Sequence, residues 1–198
     1  MFSGIIKTVG TIKSVTEKNG GREYCIAYNL KRKWKIGESV MIGGICSTII
    51  KKTEPTITVF YMPETLQKTT AITWSKGARV NIEPSLKMGD DISGHIVSGH
   101  VDTKAKVRNI EKQGKTKRIT FSLSKEYARY IVSKGSIAVD GVSLTVVDAK
   151  KDSFSVALIP YTLAHTTLGV LKEGDAVNIE VDMMAKYIEK FVALHTKK

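Results

Sequence analysis

The sequence predicts an all-β protein in which two similar small domains follow one another and a single helix comes last. Three observations support this prediction: an internal repeat, the number of short strand-like runs in each copy, and a change to helical spacing near residue 183. Residues 39–83 align with residues 136–180 without a gap at an offset of 97, and 14 of the 45 positions are identical. A repeat this long exceeds any solenoid unit, so each copy should be a domain with its own core.

The repeat also sets the expected domain boundaries. The run Val80–Glu83 recurs as Val177–Glu180, and residues 3–6 match residues 98–101 at a slightly shorter offset of 95. We therefore expect an N-terminal barrel domain at residues 1–94, a second at 95–182 and a helical segment at 183–198. Two like domains predict two like binding sites.

Short alternating or apolar runs bounded by glycine, proline and asparagine predict six strands in the first copy. They are expected at residues 5–14, 25–28, 39–42, 48–52, 56–61 and 79–83, and the second copy repeats their order. Six short strands in fewer than 100 residues favour a closed barrel, which has no unpaired edge. One turn of helix is expected after Pro63 and after Pro160, because proline is tolerated at a helix start.

The pattern changes to an amphipathic helix in the last part of the chain. Polar residues Lys186, Glu189 and Lys190 lie opposite an apolar stripe with three- and four-residue spacing. The stripe consists of Met184, Tyr187, Ile188, Phe191, Val192 and His195. Such a helix either folds back on its own barrel or pairs with copies of itself, and the sequence favours neither.

Composition and charge argue against several classes of protein, among them nucleic-acid-binding and membrane-spanning proteins. The net charge is +12, but the basic residues form small scattered groups separated by acids, which is typical of a solvated surface and not of a nucleic-acid interface. No apolar run is long enough to span a bilayer, and no secretory leader pattern is present. Cys25 and Cys46 are the only cysteines, a usage typical of free thiols in a reducing compartment, so a cytoplasmic location is expected.

Common catalytic motifs, such as a Walker loop, HExxH or GxSxG, are absent from the sequence. His95 and His100 lie five residues apart in an extended segment, a spacing that is poor for joint metal binding, so no metal site is expected. Small hydroxyl residues and turns instead recur at matching places, at 44–48 with 141–145 and at 63–65 with 160–162. Glycine admits a flat ligand and threonine hydrogen-bonds to heterocycle edges, so two sites for such a ligand are predicted.

Four segments resemble the riboflavin synthase family, whose members duplicate a lumazine-binding domain. They are residues 1–6, 94–102, 140–146 and 158–169, and the resemblance covers essentially the whole chain. It implies two similar six-stranded antiparallel Greek-key barrels in tandem plus a C-terminal α-helix that holds a homotrimer. It implies neither a metal nor an organic cofactor.

The resemblance also implies a reaction and a small-molecule substrate. Two molecules of 6,7-dimethyl-8-ribityllumazine dismutate by four-carbon transfer to riboflavin and 5-amino-6-ribitylamino-uracil, and association with lumazine synthase is compatible with the family. The alternative is a non-catalytic lumazine- or flavin-binding protein of the same fold. Those relatives tend to lose the segment Gly94–His100 and the turn Ser143–Thr145, which this chain keeps.

By resemblance, the reactive cluster contains Ser39, Cys46 and His100, with Phe2, Thr145 and Asp182 in support. A thiol or hydroxyl can add to an electrophilic carbon, and an imidazole can exchange protons near neutral pH. The two copies differ at three of these places, since Cys46 aligns with Ser143, His100 with Ile5 and Asp182 with Ser85. The alternatives are structural roles, with Cys46 as a small buried strand residue and His100 as a strand histidine bonded to backbone.

Substrate contacts are implied at both copies of the repeat. Two departures from the family pattern stand out: Gly43 replaces a common asparagine, and Tyr161 stands where histidine or glutamate is usual. The implied contacts are Gly4, Ile5, Ile6, Cys46, Ser47, Thr48, Tyr61, Met62, Pro63, Glu64, Thr65, Gly99, His100, Val101, Lys134, Ser143, Leu144, Thr145, Leu158, Ile159, Pro160, Tyr161 and Thr162.

Overall fold

The computed structural model describes residues 1–195 and shows two closed barrels of six strands each. The first barrel contains β1 (Thr8–Lys18), β2 (Gly21–Ala27), β3 (Ser39–Ile42), β4 (Ile45–Thr53), β5 (Thr56–Tyr61) and β6 (Arg79–Pro84). The second contains β7 (Thr103–Gln113), β8 (Thr116–Ser122), β9 (Ser136–Val139), β10 (Val142–Ala149), β11 (Ser153–Leu158) and β12 (Ala176–Val181). The neighbouring strands pair antiparallel, and β2 and β8 pair with β5 and β11 in the Greek-key manner. The predicted fold class is confirmed.

Four short or medium helices accompany the barrels. Helices α1 (Pro63–Lys68) and α3 (Pro160–His165) each begin at a proline, as predicted, and a 3₁₀ turn follows each of them. The others are α2 (Lys125–Ala128) and α4 (Met183–His195). None of the helices in residues 1–195 is long and apolar enough to cross a membrane.

Three strand starts in the first barrel differ from the sequence prediction, and one of them is β4, which begins at Ile45 and not at residue 48. The first strand begins at Thr8 and not at residue 5, because residues 1–6 leave the first barrel and run across to the second. The second begins at Gly21 and not at residue 25, because Asn19 and Gly20 both have positive φ and close a two-residue hairpin. An Asn-Gly pair is a strong hairpin signal, so this boundary was readable from the sequence.

Each barrel encloses its own apolar core. In the first, the rings of Tyr24, Tyr61 and Trp74 contact one another with centroids 5.3 to 6.1 Å apart. In the second, Phe121 and Phe154 stack at 5.2 Å. Fully burying one such side chain contributes about 1.5–3 kcal/mol, so these rings supply much of each core's stability.

Helix α4 contacts its own barrel through its polar side. Lys186 Nζ lies 2.6 Å from Asp102 Oδ1, and Arg129 lies 3.0 Å from Glu189. Three apolar residues at the start of the stripe are exposed: Met184 at 67%, Tyr187 at 58% and Ile188 at 60%. These three side chains are therefore open to a partner, which is compatible with the arrangement in which the helix pairs with copies of itself. Residues 196–198 of the expected segment 183–198 lie outside the described residues.

Two asparagines join the barrels by an exchange of hydrogen bonds. Asn178 of β12 accepts from Thr70 N at 2.7 Å and donates to Gly43 O at 2.8 Å, both in the first barrel. Asn81 of β6 accepts from Thr167 N at 2.8 Å and donates to Asp140 O at 3.0 Å, both in the second. Each asparagine is 1% exposed, so water cannot reach its partner groups and replace these hydrogen bonds.

We expect Asn178→Ala to destabilise the protein by about 2 kcal/mol or more, because it leaves the Thr70 amide and the Gly43 carbonyl buried without partners. Urea unfolding measures this. The matched control is Asn109→Ala, since the Asn109 amide bonds to Glu111 at an exposed position and its loss should cost under about 0.5 kcal/mol. Equal unfolding midpoints for both variants would contradict the structural role of the exchange.

Candidate functional site

The outer wall of the first barrel carries several of the predicted residues. The pairings Ser39 with Thr48 and Met41 with Cys46 place these four side chains on one side of the sheet. The alternate residues, such as Val40 and Ile49, point into the barrel core. Ser39, Cys46 and Thr48 therefore share an outward surface, which we call the first face together with residues 99–101.

Residues 99–101 reach this surface from the other half of the chain. Cys46 N donates to Gly99 O at 2.7 Å, Val101 packs against the first barrel's core, and His100 between them is exposed. Gly99 has φ +77°, and a Cβ there would lie 2.8 Å from Cys46 Cβ, so only glycine fits. The structure thus places Ser39 and Cys46 side by side on the first face and His100 in the segment that bonds to Cys46.

The second barrel has the corresponding arrangement with the halves exchanged. Ser143 N donates to Gly4 O at 2.8 Å, and Ile6 packs against the second barrel's core. A Cβ on Gly4 would lie 2.5 Å from Ser143 Cβ. We call the outward surface formed by residues 4–6, Ser143 and Thr145 the second face.

Two glutamates fix the crossing segments. Ser3 N and Oγ donate to Glu83 Oε1 at 2.8 and 2.7 Å, and Gly4 N donates to Oε2 at 3.0 Å. Burial raises the pKa of the Glu83 carboxyl, against the lowering effect of these bonds. Glu180 binds the matching residues Ser98 and Gly99 at 2.7 and 2.8 Å. In the sequence these glutamates stand out only as part of a repeat, although their recurrence together with two Ser-Gly pairs was the available signal.

The Cys46 thiol is held in its protonated form. Burial raises its pKa, and a hydrogen bond with Ser39 offsets part of that rise. The thiolate is the nucleophilic form of cysteine, whereas the thiol is a weak hydrogen-bond donor. At neutral pH the geometry therefore favours Cys46 as a proton or hydrogen-bond donor.

The second face has a different polar group at the matching place. Ser143 Oγ lies 2.7 Å from His95 Nδ1, and burial lowers the pKa of His95, against an opposing effect of Asp182. Asp182 itself accepts from Met184 N at 2.9 Å at the start of α4. Of the six residues expected at the reactive cluster, Thr145 and Asp182 thus belong to the second barrel's side and not beside Cys46.

Some residues that were predicted to contact the substrate have side chains that point into the barrels. Ser47 Oγ and Tyr61 OH share a buried hydrogen bond of 2.8 Å, and Leu158 is fully buried in the second core. Their side chains do not line the faces. Lys134 is exposed, has φ +67°, and bonds through its backbone to Val146, next to Thr145.

The helix starts near the two faces differ in charge. Glu64 of α1 forms an ion pair with Lys68 at 2.7 Å. The aligned residues of α3 are Tyr161 and His165, whose rings stack with centroids 4.1 Å apart. The two faces therefore share a backbone plan and differ in side-chain chemistry.

A buried apolar cluster lies between the faces within one chain. It consists of Phe2, Val97, Met41 and Ala138, and Cys46 and Ile6 pack against it. Phe2 matches Val97 and Met41 matches Ala138 in the repeat, so the cluster lies on the axis that relates the two barrels. Equivalent residues such as Cys46 and Ser143 consequently lie on either side of it.

Comparison with known sequences supports the duplication. The lumazine binding domain family matches this chain twice, at residues 3–85 and 98–182. Riboflavin synthase of Chlamydia pneumoniae is 42% identical over 188 residues, covering 94% of this chain and 92% of the relative. Riboflavin synthase of Bacillus subtilis is 35% identical over 195 residues, covering 97% and 90%.

Solved structures show the same fold at lower sequence similarity. LumP complexed with riboflavin superposes with a TM-score of 0.84 at 23% identity, covering 92% of this chain and 100% of LumP. LumP complexed with 6,7-dimethyl-8-(1'-D-ribityl) lumazine gives 0.82 at 21%, covering 91% and 99%. At this identity the likeness establishes the fold.

The protonated state of Cys46 predicts slow alkylation. In a Cys25→Ala background, we expect iodoacetamide to modify Cys46 about tenfold more slowly than a free thiol at pH 7.5. Ser39→Ala should slow it further, because the lost hydrogen bond stabilises the thiolate and its loss raises the pKa. The control is Ser136→Ala, the matching serine of the second barrel, which pairs with Thr145. A fast reaction, or equal effects of the two serine variants, would contradict the protonated state and the role of Ser39.

Proposed function

The chain belongs to the riboflavin synthase family of lumazine-binding enzymes, and on that premise we propose that it dismutates 6,7-dimethyl-8-ribityllumazine. One lumazine gives a four-carbon unit to another, which yields riboflavin and 5-amino-6-ribitylamino-uracil. The observation that carries the proposal is the pair of faces built on one plan, with Cys46 at one and Ser143 at the other. Two identical substrates that play different roles require two such sites.

Each face binds one lumazine in this proposal. On the first face, Thr48 and the start of α1 contact the ligand beside the segment Gly99–Val101. On the second, Ser143, Thr145, Lys134 and the start of α3 contact it beside the segment Gly4–Ile6. The crossing glycines hold these segments close to Cys46 and Ser143, so that the residues beside each glycine border the ligand.

The chemistry requires loss of a proton from the 7-methyl group of one lumazine and addition of a nucleophile at C7 of the other. His100 exchanges the proton through its imidazole as the general acid-base group. The Cys46 thiol, kept protonated by burial, donates to the reacting ring, and the Ser39 hydroxyl beside it is the candidate nucleophile. Holding both rings in contact supplies much of the rate enhancement.

The two reacting faces come from different chains in this proposal. Within one chain the apolar cluster around Phe2 lies between Cys46 and Ser143, which keeps ligands on the two faces apart. The exposed Met184, Tyr187 and Ile188 of α4 offer a surface for a second copy, and a homotrimer places the first face of one chain against the second face of the next. Association with lumazine synthase and a cytoplasmic location stay predictions of the sequence.

A second candidate is a non-catalytic lumazine- or flavin-binding protein, which the structural likeness to LumP favours. Incubation of the pure protein with 6,7-dimethyl-8-ribityllumazine separates the two. Riboflavin fluorescence that grows with time supports the enzyme. Binding without riboflavin formation supports the alternative.

Cys46 and His100 occupy positions where the copies differ, and we expect them to carry chemistry, whereas Thr48 and Thr145 occupy a position where the copies agree, and we expect them to carry binding. We expect Cys46→Ser and His100→Gln to lower kcat by tenfold or more with little change in lumazine affinity. Thr48→Ala and Thr145→Ala should weaken binding about fivefold, each at its own face. Turnover is followed by riboflavin fluorescence and affinity by titration. Wild-type turnover in both Cys46→Ser and His100→Gln would show that neither side chain has a catalytic role.

Ile188→Glu should disrupt the assembly, because it places a charge in the apolar stripe of α4. Sedimentation should show three chains for the wild type and one for the variant, which still binds ligand but turns over poorly. Lys190→Glu changes charge on the other side of the helix and is the matched control. An unchanged mass for Ile188→Glu would show that the apolar stripe of α4 does not hold the chains together.

A further inference from the structure

One histidine near the second face has no role in the proposed mechanism. His95 lies just before the crossing pair of Phe2 and Val97, and its backbone N–H donates to Ser3 O at 3.2 Å. The preceding Gly94 fits so closely that a Cβ there would lie 2.1 Å from Ser3 O and 2.9 Å from Ser143 Oγ. The backbone that carries His95 is thus fixed against both the crossing segment and Ser143.

The imidazole of His95 is the side-chain partner of the Ser143 hydroxyl. Their Nδ1–Oγ distance of 2.7 Å is that of a strong hydrogen bond. Backbone contacts with Gly4 hold the Ser143 main chain, but they do not select among the rotamers of a serine side chain. The imidazole does, because only one rotamer brings Oγ within bonding distance of Nδ1.

On the first face, a different pair of groups orients the side chain at the position that matches Ser143. There Cys46 takes the place of Ser143, and the Ser39 hydroxyl bonds to its sulfur. His95 is therefore part of the difference between the faces. Asp182 at the start of α4 acts on His95 through its charge, which favours the protonated imidazole over the neutral form that burial favours.

We propose that His95 is a positioning residue of the second face, which holds the Ser143 hydroxyl in the one rotamer that can hydrogen-bond to the bound pteridine ring. The inference rests on the proposed function, because it takes Ser143 to contact lumazine. His95 itself need not touch the ligand. It acts through Ser143, so its removal should matter only while Ser143 has a hydroxyl to orient.

Substitution of His95 by asparagine or by glutamine distinguishes a role in orienting Ser143 from a role in packing. The amide of asparagine reaches about as far as Nδ1 of histidine, whereas the amide of glutamine reaches the position of Nε2. His95→Asn should keep the bond to Ser143 and bind within about twofold of the wild type. His95→Gln should lose it and weaken the second face about fivefold to tenfold, as Ser143→Ala does.

The measurement is a calorimetric titration of the full chain with riboflavin, which resolves two classes of site. The class weakened by Thr145→Ala is the second face, and the class weakened by Thr48→Ala is the first. His95→Gln should affect only the former. In the double variant, Ser143→Ala with His95→Gln, the second change should add less than about twofold, since no hydroxyl is left to orient.

Three results would overturn the proposal: wild-type affinity in His95→Gln, equal losses in His95→Asn and His95→Gln, or additive losses in the double variant. Urea midpoints are measured alongside, so that a loss caused by unfolding is recognised. Failure of the proposed function looks different, because the wild type would then form no riboflavin from lumazine, whether or not it binds riboflavin. Ligand binding by the wild type with an unaffected His95→Gln variant would remove the His95 role alone.

Discussion

Two buried glutamate side chains hold together the parts on which both faces depend. Each accepts three hydrogen bonds from a Ser-Gly pair, Glu83 from residues 3 and 4 and Glu180 from residues 98 and 99, at 2.7 to 3.0 Å. These bonds satisfy backbone N–H groups that the crossing segments would otherwise bury without partners. They fix Gly99 beside Cys46 and Gly4 beside Ser143. Each face therefore depends on contacts between the two halves of the chain, although each barrel has its own core.

Most of the fold could be predicted because its signals are local. The constant offset of the repeat, the short strand patterns and the prolines that begin α1 and α3 are all read within a few residues. The crossing segments could not be placed, because residues 3–6 have a strand-like pattern whose partners lie in the other half of the chain. The sites were predicted as stretches of sequence, so residues such as Ser47 and Leu158 were included although their side chains point inward. The bond between His95 and Ser143 joins residues 48 apart, and no spacing rule reveals it.

The two faces have similar backbones and different side chains, which explains how one chain can bind the same substrate in two different roles. Gly4 and Gly99 make equivalent contacts, and so do Thr48 and Thr145 within their strands. The differences that bear on the proposed chemistry lie in groups that donate, accept or carry charge. At the first face the Cys46 thiol bonds to the Ser39 hydroxyl, and at the second face the Ser143 hydroxyl bonds to the His95 imidazole. Near these faces, an ion pair at Glu64 corresponds to a ring stack at Tyr161.

The exchange of Asn81 and Asn178 has an evolutionary consequence. Each contact in it is one that two copies of a single barrel would make across a true twofold axis, as in an isologous dimer. In such a dimer every substitution appears twice, so both faces must carry the same group. Joining the copies in one chain removes that constraint while the interface between them stays the same. Only after fusion could one position keep a cysteine while its counterpart became a serine.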